Sequence, residues 1–173
     1  MIPDLPRGFT PSFLTKQLQQ NGYLPLDGTV HTVSASNIGD GTGMMAEIAK
    51  LDLQYKGNQG SAPPSLIAKF ASQNPTNREI ATAYNLYERE TRFLSELDPL
   101  TDVQTPVTYL SVLDGDRFLI LMEDLTDYDV GSQVVGATLS ESELAIDQLV
   151  KLHAPFWGKV DSIDWVPHIA NSY

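Results

Sequence analysis

Residues 107–122 read VTYLSVLDGDRFLILM: two strand-length runs that meet at Asp114-Gly115. An Asp-Gly pair between such runs is a strong hairpin signal, because it supplies the positive φ values that the tight turn requires. In the second run, FLILM, no position is polar, so both faces of the strand must be covered. A chain that carries such a strand must build a layered fold around it.

Upstream, residues 29–37 and 44–55 carry a period of two and flank the glycine-rich stretch IGDGTG, which predicts a hairpin with a wide glycine tip. KGNQGSAPP is a loop by composition, and SLIAKF, residues 65–70, is a third strand. Residues 75–97 carry a helical period that stops before Asp98-Pro99. A shorter helix precedes the strands over residues 10–22. Thr10 is its cap, Pro11 lies in its first turn, Phe13, Leu14 and Leu18 form its apolar face, and Gly22 stops it. After Met122 comes a polar linker, residues 123–139, and then a helix over residues 140–157. Ser140 with Glu143 fits a capping box there, and Leu144, Leu149 and Leu152 supply the apolar face. The expected fold class is α+β. Its domains are a lead-in helix (1–28), a sheet domain (29–122), a linker (123–139) and the start of a second, helical domain (140–173).

Three features could carry chemistry. Gly39, Gly41 and Gly43, with Asp40 and Thr42 between them, lie between two strands, where glycine lets the backbone approach a ligand and exposed amides can cradle phosphate oxygens. A plain hairpin tip has the same composition. Lys69 shares a strand face with Ile67, opposite Leu66, Ala68 and Phe70. Inside so apolar a strand, its ammonium must reach water, a partner or a ligand. Glu90 shares a helical face with Ala83, Tyr87, Leu94 and Leu97. A carboxylate in that stripe either reaches solvent at its edge or finds a cation, and Lys69 is the natural candidate.

Composition narrows the functions. A net charge of −11 argues against nucleic acid as a partner, since phosphate binding needs basic patches. No apolar run is long enough to span a bilayer, and the first residues lack the pattern of a secretory signal, so no membrane association and a cytoplasmic location are expected. Cysteine is absent, which excludes disulfides and thiolate metal sites. Between Arg117 and Lys151 there is no basic residue, while Glu123, Asp124, Asp127, Asp129, Glu141, Glu143 and Asp147 all fall there. That stretch is either a solvated surface or a mouth that attracts cations.

A glycine hairpin, a strand lysine, a helix glutamate and a buried strand ending in a linker, in that order, resemble the nucleotide-binding lobe of protein-kinase-like enzymes. The segments IGDGTGMMAEIAKLDLQY, SLIAKF, YERETRFLSEL, LILMEDL with GSQVVG, and LVKLHAPFWG are similar to the aminoglycoside phosphotransferase superfamily. Within it they are closest to the ecdysteroid-kinase-like, choline-kinase-like branch. The resemblance implies a five-stranded antiparallel sheet with one αC-type helix, a hinge and the first helix of a truncated C-lobe. It further implies ATP as the nucleotide, covered by Gly39, Asp40, Gly41, Thr42 and Gly43. Lys69 would contact its phosphates, Glu90 would pair with Lys69, and the Met122, Glu123, Asp124 and Leu125 backbone would face the adenine. The implied activity is transfer of phosphate to a hydroxyl of a small molecule.

The chain departs from the family pattern in one respect. No His-Gly-Asp catalytic segment is present: His31, His153 and His168 are not followed two residues later by aspartate. No catalytic residue and no metal ligand is therefore expected in this chain. Mg²⁺ binding would await the missing C-lobe, and the isolated chain is expected to be inactive. The alternative is a non-catalytic module that binds a nucleotide or a partner, with self-association through the exposed C-lobe helix. Asp114-Gly115-Asp116 reads as a turn, His153, Trp157 and Trp165 as core or lobe-contact residues, and Asp127 and Asp129 as solvated.

Overall fold

A computed structural model gives the architecture and describes residues 2–38 and 45–166. The chain forms two compact units: Met1–Thr91 with Pro106–Thr126, and Arg92–Thr105 with Asp127–Tyr173.

The first unit is α+β. Helix α1 (Pro11–Gln20) starts at Thr10, whose hydroxyl accepts the Phe13 N–H, with proline in the first turn. Five strands follow: β1 (Thr29–Asn37), β2 (Ala46–Lys56), β3 (Ser65–Ala71), β4 (Thr108–Asp114) and β5 (Arg117–Met122). They form one antiparallel sheet in the order β1-β2-β3-β5-β4. One antiparallel five-stranded sheet is the architecture that the sequence resemblance implies.

Period-two patterning divides the sheet. On one face Ala49, Leu51, Leu66, Ala68, Phe70, Leu119 and Leu121 are buried and pack with Leu14 and Leu18 of α1. On the other, Lys50, Ile67 and Met122 form one cross-strand row, and Ile48, Lys69 and Ile120 form the next. β3 is therefore a central strand, and Lys69 does not sit on an edge. β5 is buried from Phe118 to Leu121, as its unbroken apolar run requires. At the β4–β5 turn Gly115 has φ +66°, so Asp114-Gly115-Asp116 is a turn; Asp116 lies 3.5 Å from Arg78.

The helix expected over residues 75–97 is broken. α2 (Pro75–Ala83) stops at Tyr84, Asn85 takes φ +52°, and α3 (Leu86–Arg92) begins anew. A π-helical turn at Phe93–Leu97 and a 3-10 turn at Asp98–Leu100 continue the chain. Asparagine is among the few side chains that tolerate the left-handed region, and one such residue resets the helical phase. The expected shared face therefore fails at its start: Ala81, not Ala83, is the buried residue of α2.

The second unit is built on α4 (Leu139–His153). Its cap is Thr138, not Ser140. The Thr138 hydroxyl accepts the Glu141 N–H, and the Glu141 carboxylate accepts the Thr138 N–H at 2.7 Å. The Thr138 N–H and, second, the Thr138 hydroxyl donate to the Glu141 carboxylate and hold its carboxyl below its ordinary range. The α-helix ends at His153, before Ala154-Pro155, rather than at Trp157, and a 3-10 turn takes over. His153 is exposed and Trp157 is 83% exposed, so neither is a core residue of this unit. Trp165 does pack: its ring lies 4.8 Å under the Arg92 guanidinium, and its indole N–H donates to Glu96 at 3.0 Å. Asp127 and Asp129 are exposed. Among the described residues no helix is long and apolar enough to cross a membrane.

Candidate functional site

β3 and α3 bring the first pair of candidate side chains together. Lys69 stands between Ile48 and Ile120 on the sheet face opposite α1. α3 is held over that face by Tyr87, which is buried and stacks on Phe118 with ring centroids 4.3 Å apart. Its hydroxyl donates to the Met45 carbonyl at 2.6 Å, and burial pushes that phenol above its ordinary pKa. One turn further on, the Glu90 carboxylate reaches the Lys69 ammonium at 2.5 Å.

That contact answers the question the sequence leaves open for both residues. The lysine's ammonium reaches a carboxylate, and the helix glutamate finds a cation. Their side chains keep 26% and 35% exposure, so neither charge is fully desolvated. The pair therefore fixes where an ammonium points, with only a modest share in stability, since partly exposed ion pairs contribute about 0–1 kcal/mol. An ammonium held at the open side of a sheet face can accept an anionic ligand such as a phosphate.

The second part of the site is the segment that leaves β5. The Glu123 N–H donates to the Val107 carbonyl at 2.9 Å, and its carboxylate accepts the Val107 N–H at 3.1 Å. The Asp124 carboxylate accepts from Lys50 at 2.7 Å and from the Ser65 hydroxyl at 2.8 Å. Burial pushes the Asp124 carboxyl up, but its bonds to Lys50, Thr126 and Ser65 outweigh burial and hold it well below the carboxylate range. Met122 lies in the cross-strand row of Ile67, the row next to Lys69. Met122, Glu123, Asp124, Leu125 and Lys69 thus all belong to the first unit. Gly39, Asp40, Gly41, Thr42 and Gly43 lie outside the described residues.

The Asp124 network is the feature that sequence reasoning missed. Residues 123–125 are expected there to act through their backbone, and the donors to the Asp124 side chain come from β2 and β3, with Ser65 separated from it by 59 positions. No periodicity marks such a contact. The only local signal is an aspartate two residues before a threonine, whose N–H and hydroxyl both donate to it.

One family's sequence model, described as the ecdysteroid kinase-like family, matches residues 40–155. No curated protein and no solved structure matches the chain.

Proposed function

The chain belongs to the ecdysteroid kinase-like family, and on that premise we propose that it is the nucleotide-binding part of an ATP-dependent phosphotransferase acting on a hydroxyl of a small molecule. The observation that carries the reading is the 2.5 Å contact between Lys69 and Glu90. In kinase-like phosphoryl transfer a strand lysine holds the nucleotide phosphates and a helix glutamate holds the lysine. Lys69 is assigned the first role and Glu90 the second. The backbone of residues 122–125 is assigned to the adenine, and residues 39–43 to covering the phosphates.

ATP supplies the transferable phosphoryl group when bound, and Mg²⁺ neutralises charge on its phosphates. Mg²⁺ is typically held by one or two carboxylates together with the phosphates, and no residue of this chain is assigned that role. The proposal gives this chain the binding half of the reaction: orienting the nucleotide and positioning an ammonium against its phosphates. The acidic stretch that follows Met122 would favour a cationic acceptor, whereas the family name points to steroid-like alcohols.

Titration of a fluorescent ATP analogue into the full chain and its Lys69→Ala variant tests the reading. Saturable binding is expected for wild type, with about tenfold weaker binding for the variant, as the loss of one charge-assisted contact worth about 1.4 kcal/mol implies. Equal affinities would remove Lys69 from the phosphate site. A non-catalytic binding module shares every binding step, and an in-frame His-Gly-Asp segment encoded downstream of residue 173 would separate the enzyme from it.

A further inference from the structure

Asp124 collects four hydrogen bonds from three stretches of chain. Its Oδ2 accepts from the Lys50 ammonium on β2 and from the Ser65 hydroxyl at the start of β3, while its Oδ1 accepts from the Thr126 N–H and hydroxyl. Its side chain is only 9% exposed. A carboxylate is an acceptor alone, and here both of its oxygens are engaged.

The neighbouring residue is tied the other way, to Val107 just before β4, through its N–H and its carboxylate. Residues 123 and 124 are thus anchored to β4 on one flank and to β2 and β3 on the other. Between these anchors two backbone groups are left over. Among the described residues, neither the Glu123 carbonyl nor the Leu125 N–H has a hydrogen-bond partner. An acceptor followed two residues later by a donor complements the edge of adenine, which offers an amino donor beside a ring-nitrogen acceptor. Guanine presents the reverse polarity at the corresponding edge, a carbonyl beside a ring N–H.

We propose that Asp124 is a positioning residue for base selectivity: its carboxylate sets the spacing and direction of the Glu123 carbonyl and the Leu125 N–H without touching the nucleotide. The inference rests on the nucleotide-binding reading above. It also accounts for Lys50, which stands on the same sheet face as Lys69 yet gives its ammonium to Asp124. Lys69 is then the cation for the phosphates, and Lys50 serves the base end. Held this way, the two amide groups are preorganised, so little ordering cost falls on base binding.

The test is calorimetric titration of the full chain with ATP, GTP and inorganic tripolyphosphate, which carries the phosphates and no base. Wild type is expected to prefer ATP to GTP. In Asp124→Ala the ATP-over-GTP ratio should fall at least about fivefold while tripolyphosphate affinity stays within about twofold, a split that a general loss of structure would not produce. In Lys69→Ala all three ligands should weaken together and the ratio should persist. Should Asp124→Ala fail to fold, Ser65→Ala removes one donor, leaves the charge pair in place, and should shift the ratio in the same direction by less.

An unchanged ratio in a folded Asp124→Ala or Ser65→Ala variant overturns this inference alone. So does a fall in tripolyphosphate affinity that keeps step with ATP, or a wild type that binds ATP and GTP alike. A wild type that binds none of the three ligands overturns the nucleotide reading and this inference with it.

Discussion

Tyr87 stacks on Phe118 with their rings 20° from parallel, and its hydroxyl bridges the Met45 carbonyl and the Ser72 N–H. One side chain thus ties α3 to β5, to the start of β2 and to the end of β3. Tyr87→Phe keeps the stack but strands two backbone polar groups, one of them buried. It should cost about 1–3 kcal/mol in urea denaturation. Phe118→Ala empties a fully buried ring site and should cost about 3–5 kcal/mol. Both should also weaken nucleotide binding, because Glu90 follows Tyr87 by one turn on the same short helix.

Glu90→Gln separates aiming from stability. The Lys69–Glu90 pair is partly exposed, so the substitution should move the denaturation midpoint by less than about 1 kcal/mol equivalent. Fluorescent-nucleotide affinity should nonetheless fall severalfold, since the ammonium loses its fixed direction. A large stability loss with unchanged affinity would make the pair a structural brace.

The sheet was legible because its signals are local: a period of two in residues 29–37 and 44–55, a short apolar run in residues 65–70, an all-apolar run in β5, and glycine at the turn. The helix break at Asn85 was not, because one left-handed residue leaves the apolar composition of residues 75–97 unchanged. The cap of α4 illustrates a different failure. Thr138-x-x-Glu141 and Ser140-x-x-Glu143 are overlapping matches to one motif, and local pattern cannot rank them. At the site, Lys69 and Glu90 could be paired on paper because each sits at an apolar position that a charge tolerates poorly. Asp124 lies in a polar stretch where an aspartate raises no question.

Those overlapping motifs make a sharp comparison. Thr138→Ala should cost about 1 kcal/mol of local helix stability, read as faster amide exchange over residues 139–143. Ser140→Ala should leave exchange there nearly unchanged. The reverse result would move the helix start by two residues.

Asp124 also sets a pH dependence. Its folded pKa lies below the ordinary value, so its stabilisation is complete above the unfolded carboxylate pKa, about 3.9. That stabilisation is lost as pH falls from there toward the folded value. Urea midpoints of wild type and Asp124→Asn should therefore differ by a constant amount above about pH 5 and converge below about pH 4. Parallel curves down to pH 3 would mean that the carboxylate's bonds do not survive in solution.

β3 faces two ways: Leu66, Ala68 and Phe70 close the interior with α1, while Ile67 and Lys69 look toward the site. Neighbouring codons along this strand therefore answer to different demands. Changes at even-numbered positions would be felt as loss of soluble protein whatever the ligand. On the nucleotide-binding reading, changes at Ile67 and Lys69 should instead leave abundance intact and alter what is bound, so that binding can vary at these two positions without rebuilding the scaffold.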